Sequence, residues 1–194
     1  HMIEYWAEDA LGNKELIKAQ CVYVDNTPPE GVKTIGEPKI PCGKGCDYWV
    51  RDHVTEITLD CVDPEPHPVD HETMCYRISF DEEPEWLTEQ YCNEFGGQME
   101  DGWCCVDVSG DTVYTFTFQE DSLHDLEYFC MDALGNMNEV DTEYFRVDST
   151  PPETVKTYGE PFYTDGTSEW ITSDTPIMLT AIDGGDICAV DGVT

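Results

Sequence analysis

The residues of this chain best suited to chemistry are its ten cysteines. Eight of them lie between positions 25 and 148, an even number that could form four bridges: Cys42, Cys46, Cys61, Cys75, Cys92, Cys104, Cys105 and Cys130. Only Cys21 and Cys188 lie outside that segment. No second cysteine pair follows Cys42 and Cys46 at zinc-site spacing, so disulfides and an extracellular or cell-surface location are favoured over zinc. The neighbours Cys104 and Cys105 would point to opposite faces of a strand, which predicts different partners.

The acidic side chains are the second chemically capable set, because carboxylate oxygens bind hard cations such as Ca²⁺. The chain has 42 Asp and Glu residues against 9 Lys and Arg residues, a formal net charge of −33. Nucleic acid is not an expected partner, because phosphate binding requires Lys and Arg. Repulsion among the acids destabilises the compact state. Divalent cations or a high-salt habitat could offset it, and a solvated acidic surface is the simplest alternative.

Catalytic motifs do not emerge from the sequence. It has no Gly-x-Ser-x-Gly nucleophile elbow and no phosphate-binding glycine loop before a helix. Carboxylates are so abundant that two of them in proximity would not indicate a glycosidase. No apolar run approaches the roughly 18–20 residues of a membrane helix. The prediction is a protein that is not an enzyme, with no membrane span in this segment and no cofactor other than Ca²⁺.

The elements that must position these residues are strands. Apolar residues recur with a period of two, as in Ile57, Leu59 and Cys61, and again in Leu126 to Cys130. Further strands are expected at 72–80, 113–119 and 139–147, whereas no stretch of a dozen residues has a persuasive amphipathic helical pattern. Short strands with frequent Gly and Pro predict an all-β, disulfide-rich sandwich.

The chain also repeats itself. Residues 9–13 and 132–136 both read Asp-Ala-Leu-Gly-Asn, and the Thr-Pro-Pro-Glu of 27–30 returns at 150–153, each pair offset by 123 positions (132 − 9 and 150 − 27). So long a period indicates tandem domains rather than a solenoid. The predicted division has three parts: residues 1–24 as the last two strands of a preceding repeat (His1-Met2 being a tag remnant), 25–148 as a complete repeat with an insertion at 81–112, and 149–194 as the first strands of the next.

The hairpin and linker residues carry a resemblance to a known family. The hairpin motif Asp-x-x-Gly-Asn is followed by Val24-Asp-Asn-Thr-Pro-Pro in the first copy and by Val147-Asp-Ser-Thr-Pro-Pro in the second. This pattern resembles the tandem Ig-like repeats of bacterial and archaeal cell-surface proteins. The resemblance implies an Ig-like sandwich used in stalks or surface layers, without catalysis. It does not extend to the insertion or to the high cysteine content.

The Ig-like arrangement implies one disulfide. Cys61 and Cys130 fall on the inward phases of the second and sixth strands, which face each other across such a sandwich. A Cys61–Cys130 bridge is therefore expected, with two buried thiols as the alternative.

The same arrangement brings linker, loop and hairpin to one pole of the sandwich. It would gather oxygen side chains suited to Ca²⁺: Asp25, Asn26, Asp63, Glu65, Asp132 and Asn136. A second junction would use three more: Asp148, Asp183 and Asp186. The alternative is that Asp132 and Asp25 only accept hydrogen bonds from the backbone of their own turns.

The insertion is aromatic as well as rich in cysteine, with four rings that could contact a glycan or a protein: Trp86, Tyr91, Phe95 and Trp103. A disulfide-stapled subcore packed on the sandwich is the alternative.

Three hypotheses for function follow. The first is a non-enzymatic structural module of a secreted or cell-surface repeat protein, with Ca²⁺-stiffened linkers. The second is an adhesin-type module that binds a glycan or surface protein through the insertion, and the third is an accessory domain of an extracellular enzyme. Because 3–24 and 149–194 would leave open strand edges, these segments are expected to pair with each other, within one chain or between chains, with Cys21 and Cys188 as partners.

Overall fold

A computed structural model of the chain describes residues 1–64, 66, 68–80 and 84–184. The fold is all-β and disulfide-rich apart from one short helix. The segment 25–148 contains ten strands: β3 (Glu30–Ile35), β4 (Lys39–Pro41), β5 (Tyr48–Val50), β6 (Glu56–Val62), β7 (Glu72–Ser79), β8 (Gln98–Glu100), β9 (Trp103–Asp107), β10 (Tyr114–Thr117), β11 (Leu123–Asp132) and β12 (Asp141–Val147). Before them lie β1 (Met2–Tyr5) and β2 (Lys18–Cys21). After them lie β13 (Glu153–Tyr158), β14 (Phe162–Thr164), β15 (Glu169–Ile171) and β16 (Ile177–Ile182).

Two sheets form the body of the segment 25–148. One has three strands in the order β10-β6-β3, and the other has seven in the order β4-β5-β12-β11-β7-β9-β8. Their pairings are antiparallel except that of β12 with β5, in which Val147 lies opposite Val50. The strands expected at 72–80, 113–119 and 139–147 are present, within a few residues, as β7, β10 and β12.

The core lies where the two sheets share their apolar faces. On β6 the inward residues Ile57 and Leu59 are fully buried, and on β11 Leu126 is equally inaccessible. Phe116 of β10 and Phe145 of β12 join the same cluster. A disulfide between Cys61 and Cys130 connects the two sheets through this core. The period-two pattern of the sequence therefore marks the buried faces directly.

The insertion departs from the predicted all-strand pattern, because residues Pro84–Phe95 form a helix, α1. Its buried residues recur at helical spacing: Leu87, Thr88, Tyr91 and Cys92. Thr88 uses its hydroxyl to accept the N–H of Ile78 at 3.0 Å and to donate to the Ile78 carbonyl at 3.2 Å, which fixes the helix on β7. The expectation of no helix was wrong here, because a buried threonine and a cysteine weaken the apolar signal of so short a segment.

The remainder of the insertion extends the seven-stranded sheet. Strand β9 pairs with β7, and β8 pairs with β9 at the sheet edge. Two of the four disulfides, Cys75–Cys105 and Cys92–Cys104, join this region to the sheet and to α1.

The two ends of the chain reproduce parts of the segment 25–148. The β1–β2 hairpin places Ile3 opposite Gln20, as β11–β12 places Leu126 opposite Glu143. Strands β13 and β16 pair with each other in the same way as β3 and β6, and a short hairpin, β14–β15, corresponds to β4–β5. The segment from 149 onward thus contains four described strands.

Pairing between the two ends was expected either within one chain or between chains, and the described residues show none within the chain. Strand β1 pairs only with β2, while the C-terminal strands pair only among themselves, as β13–β16 and β14–β15. The hydrogen-bonding edges and apolar faces of these terminal units are therefore not covered by each other within the chain.

Gly97 provides a test of the packing between α1 and β9. A Cβ at this position would lie 2.5 Å from Cys104 Sγ and 3.1 Å from Cys92 Sγ, at a φ of +143°. We expect Gly97→Ala to lower the free energy of unfolding by about 1–3 kcal/mol beyond the loss in Gly96→Ala, because overpacking against a disulfide cannot relax. Gly96 is the matched control, since it also has positive φ but open space around its Cβ. Urea unfolding of both oxidised variants measures the difference, and equal losses would contradict the packing.

Candidate metal centre

Three carboxylates from distant parts of the sequence meet at one end of β11. Asp25 precedes β3, Asp63 follows β6 and Asp132 ends β11. One oxygen from each lies within 4.8 Å of the others. Asp132 is buried, while Asp25 and Asp63 are half-buried. Such a spacing of hard oxygen ligands is compatible with a single bound cation.

Asp132 is held by the turn that follows it. Its Oδ1 accepts the backbone N–H groups of Leu134 and Asn136 at 2.8 Å each, and its Oδ2 accepts the Asn136 side-chain amide at 2.7 Å. Burial acts to raise the pKa of Asp132, but these hydrogen bonds outweigh it and hold the pKa below its ordinary value. The carboxylate is therefore ionised and fixed in orientation.

The β1–β2 hairpin contains the same turn as the β11–β12 hairpin, but in the described part of the chain it lacks the group of three carboxylates. Asp9 Oδ1 accepts the N–H groups of Leu11 and Asn13 at 2.9 Å each, and Asn13 Nδ2 donates to Asp9 Oδ2 at 2.8 Å. Asp9 is exposed and is not part of a carboxylate group among the described residues. The capping role expected of this aspartate is thus present in both hairpins, and only Asp132 also faces other carboxylates.

Asp25 combines its two predicted roles, as a turn acceptor and as a member of the carboxylate group, whereas Asn136 contacts that group through its amide nitrogen. Asp25 Oδ1 accepts the N–H of Thr27 at 3.0 Å, as expected of a turn before Pro28. The Asn136 amide nitrogen donates to Asp25 Oδ2 at 3.2 Å as well as to Asp132, so this residue connects the carboxylates as a donor rather than offering its oxygen. Asn26 is exposed.

Asp63 has an oxygen without a partner. Its Oδ2 accepts the N–H of Val69 at 2.6 Å, but its Oδ1 is buried and has no hydrogen-bond partner in the described part of the chain. A buried acceptor without a partner costs roughly 1–3 kcal/mol. This oxygen is therefore a candidate position for a cation ligand.

Glu72 is a fourth acid at this place, and the sequence analysis missed it. It lies directly opposite Asp132 in the β7–β11 pairing, which puts the two side chains on the same face. It is only 7% exposed, and its buried Oε2 has no partner among the described residues. Its position could have been noticed, because it shares the inward phase of Met74 and Tyr76 on β7.

The charges of this group are not neutralised by basic side chains. Burial, followed by the charges of Asp70 and Asp63, raises the pKa of Glu72 above its ordinary value of 4.5. Among the described residues, none of the four acids Asp25, Asp63, Glu72 and Asp132 takes part in an ion pair. A divalent cation would relieve this repulsion.

Two of the acids predicted at the second junction repeat local features of the first junction. Asp148 Oδ1 accepts the N–H of Thr150 at 2.9 Å, which repeats the turn made by Asp25. Asp183 follows β16 as Asp63 follows β6, and its buried Oδ1 also lacks a partner in the described chain. The structure does not place Asp148 and Asp183 in a group of three ligands within the part it describes. Glu65 and Asp186 lie outside the described residues.

The cysteines form four disulfides within the segment 25–148. They are Cys42–Cys46, Cys61–Cys130, Cys75–Cys105 and Cys92–Cys104. The expected inter-sheet bridge is present, and the neighbours Cys104 and Cys105 have different partners as predicted. Cys21 is exposed and not disulfide-bonded, and its expected partner Cys188 lies outside the described residues. Four disulfides indicate an oxidising environment.

The aromatic residues of the insertion mostly serve its packing. Tyr91 is fully buried against Phe116 and Phe118, and its hydroxyl donates to Glu120 at 2.9 Å. Phe95 is partly buried against the same core. The subcore interpretation therefore holds for these two rings, with Tyr91 fully buried and Phe95 partly buried in the packing. The side chain of Trp86 lies outside the described part of the chain.

Trp103 differs from the other rings. It is half-buried, with the Arg77 guanidinium 4.5 Å from its ring centroid and the Phe129 ring 4.9 Å away. Arg77 also forms an ion pair with Glu127. These residues occupy the face of the seven-stranded sheet that is turned away from the core.

No family model matches the chain, and no curated protein matches its sequence. No helix in the described part of the chain is long and apolar enough to cross a membrane, since α1 has 12 residues.

Glu72 supplies a test of the uncompensated charge. Because its pKa is higher in the folded than in the unfolded chain, the folded state binds more protons between the two values, and stability falls as pH rises through that interval. In EGTA at pH 7 we expect Glu72→Gln to raise the free energy of unfolding by on the order of 1 kcal/mol, with no gain below pH 4. The exposed helix residue Glu94 provides the control, Glu94→Gln. A gain that does not change with pH would refute this explanation.

Proposed function

We propose that the chain is a non-enzymatic structural module of a secreted or cell-surface repeat protein, built from Ig-like units whose junctions are stiffened by Ca²⁺. The observation that carries the proposal is repetition at the level of strand register. The β1–β2 hairpin and the β13–β16 pair reproduce β11–β12 and β3–β6 pair for pair. Tandem units of one fold span distance and bear load, and disulfides suit such a use outside the cell.

The linkers support a semi-rigid connection between units. Thr27-Pro28-Pro29 and Thr150-Pro151-Pro152 restrict the backbone dihedrals on both sides of each junction. Each is preceded by an aspartate that accepts the N–H of the threonine, at 3.0 Å in the first linker and 2.9 Å in the second. The linker acid is thus held in a defined position relative to the unit that follows it.

Calcium is the cation that fits the first junction best. All the charged ligands are carboxylates, which favour a hard cation over zinc, and Ca²⁺ tolerates irregular sets of six to eight oxygens. Asp25, Asp63 and Asp132 would hold the ion, and the unpartnered Oδ1 of Asp63 would gain the partner that it lacks. A bound ion would connect the linker, the β6–β7 loop and the β11–β12 hairpin.

Thermal unfolding of the oxidised protein tests the calcium part of the proposal. We expect the midpoint to be higher in millimolar CaCl₂ than in EGTA with NaCl matched to the same ionic strength. At a free calcium concentration 100 times the Kd, the stabilisation is about 2.7 kcal/mol. The Asp63→Asn variant is expected to lose this response, because it removes a ligand and keeps the acceptor for Val69.

Asp132 and Asp9 form a matched pair for the control. Both cap the same turn with the same hydrogen bonds, but only Asp132 faces Asp25 and Asp63. Asp9→Asn should retain the full calcium response and Asp132→Asn should lose it. An equal response of the parent protein to NaCl and to CaCl₂ would mean that salt only screens the net charge of −33, and would remove calcium from the proposal.

An adhesin-type binding role is the second candidate, supported by a single feature. Trp103 is the one aromatic side chain of the insertion, among those described, that lies on the outer face of the sheet, beside Phe129 and Arg77. Half-exposed aromatic rings of this kind stack on sugars or anchor protein partners. An accessory domain of an extracellular enzyme is the third possibility, for which no contact in the structure argues.

Glycan-array binding distinguishes the second candidate from the first. If the insertion is a binding surface, Trp103→Ala should abolish a signal that the parent protein gives. Tyr163→Ala is the control, because Tyr163 is 65% exposed and lies on β14, outside the insertion. Absence of any signal from the parent on glycan and protein arrays would count against the binding role, and circular dichroism would check that the variants are folded.

A further inference from the structure

The two ends of the chain carry complementary halves of one fold. We propose that the β1–β2 hairpin of one copy docks onto strands β13–β16 of a second copy, in the position that β11–β12 occupies against β3–β6 in the segment 25–148. This self-association goes beyond a structural role for the chain, and it does not depend on calcium.

The strand registers define which residues correspond. In the hairpins, Ile3 and Tyr5 correspond to Leu126 and Tyr128, since Ile3 opposes Gln20 as Leu126 opposes Glu143. In the β13–β16 pair, Ile182 opposes Glu153, just as Val62 opposes Glu30 in the β3–β6 pair. Counting back along β16, Ile177, Leu179 and Ala181 correspond to Ile57, Leu59 and Cys61.

Residues that form the core in the segment 25–148 are exposed in the terminal units. Ile57, Leu59 and Leu126 have no solvent exposure, whereas their counterparts Ile177, Leu179 and Ile3 are 54%, 69% and 52% exposed. Tyr5 is 47% exposed where Tyr128 is 5% exposed. Exposed apolar faces of this kind mark an interaction surface. The segment 25–148 itself shows what covers them, namely the other half of the same fold.

The two faces also complement each other in side-chain size. The inter-sheet disulfide joins Cys61 to Cys130, and the corresponding residues are Ala181 and Ala7. Where the segment 25–148 has two cysteines, the terminal units have two alanines. Docking would therefore leave no unpaired thiol at these positions, and two small side chains would face each other.

The lysine of this inter-sheet contact is also preserved, although its acidic partner is replaced by a neutral glutamine. Lys33 of β3 pairs with Glu143 of β12 and lies 6.0 Å from the Tyr128 ring centroid. The corresponding residues are Lys156, Gln20 and Tyr5, so the docked units would again place a lysine beside a hydrogen-bond acceptor and a tyrosine ring.

Main-chain hydrogen bonds would extend the contact. In the segment 25–148, β12 pairs in parallel with β5, placing Val147 opposite Val50. The β14–β15 hairpin matches β4–β5 in register, so Ile171 corresponds to Val50, and Val24 corresponds to Val147. Residues 22–24 can therefore add to the edge of β15, which pairs only with β14 in the described chain.

The two ends of one chain do not meet, because the two linkers leave the segment 25–148 at opposite ends of β11, and we therefore assign the partner role to a second copy. The entering linker contacts the hairpin after β11 through Asp25 and Asn136, whereas Ser149 and Thr150 of the exit linker contact Asp121, just before β11. A ten-residue strand separates these points by about 30 Å. The contact is therefore head to tail, and it propagates unless it closes into a ring.

Engineered disulfides test the proposal without disrupting either face. In a background carrying Cys21→Ser and Cys188→Ser, an Ala7→Cys variant is mixed with an Ala181→Cys variant and oxidised mildly. We expect a covalent dimer linked through positions 7 and 181, identified on non-reducing denaturing gels and by peptide mapping. An Ala10→Cys variant is the matched control, because Ala10 is exposed at the hairpin tip and should not cross-link to position 181.

Two outcomes would overturn the proposal. One is a mixture that gives no more 7–181 cross-link than the Ala10→Cys control does, with the parent chain sedimenting as a monomer up to high concentration. The other is a doubly substituted chain that forms the same bridge only within itself, which would assign the faces to intrachain closure. Neither outcome depends on CaCl₂, so failure here is distinguishable from failure of the calcium test.

Discussion

The inter-sheet contact through Cys61 and Cys130 is the interaction on which the rest of the structure depends. It joins β6 to β11 inside the core, where Leu59 and Leu126 are fully buried beside it. The bridge spans 69 residues, and in the chain-entropy account such a loop contributes about 4 kcal/mol. In a chain of net charge −33, whose compact state bears strong self-repulsion, a covalent connection between the sheets offsets part of that repulsion.

Strand β11 carries Cys130 in the core and ends at Asp132 in the carboxylate group. One strand therefore connects the core to that group. Two residues beyond the disulfide, the inward phase of β11 changes from apolar to carboxylate, and Glu72 meets it from β7. Acids at inward positions cost stability unless something neutralises them. These destabilising acids lie where the entering linker meets the sheets. A cation bound there would therefore both stabilise the unit and stiffen its junction.

The insertion enlarges this framework rather than forming a separate unit. Helix α1 packs on β7 through Thr88, and Tyr91 reaches the aromatic cluster around Phe116. Two disulfides attach the helix and β9 to the sheet, so the added apolar surface is held by covalent bonds as well as by packing. On the outer face of the sheet, Trp103 of the insertion lies beside Phe129 and Arg77, which gives this face a character different from the carboxylate group at the end of β11.

The sequence by itself determined the features that depend on short spacings. Period-two alternation marked β6 and β11, the Asp-x-x-Gly-Asn turn specified the caps at Asp9 and Asp132, and the offset of 123 positions revealed the repeat. Only the tertiary structure decided which distant groups meet. The burial of Tyr91, the partners of Cys75 and Cys92, and the place of Glu72 beside Asp63 and Asp132 depend on strand order and on the docking of α1. Neighbouring residues determine local geometry. Contacts across sheets depend on the packing free energy of the whole core, and no short sequence pattern predicts that free energy.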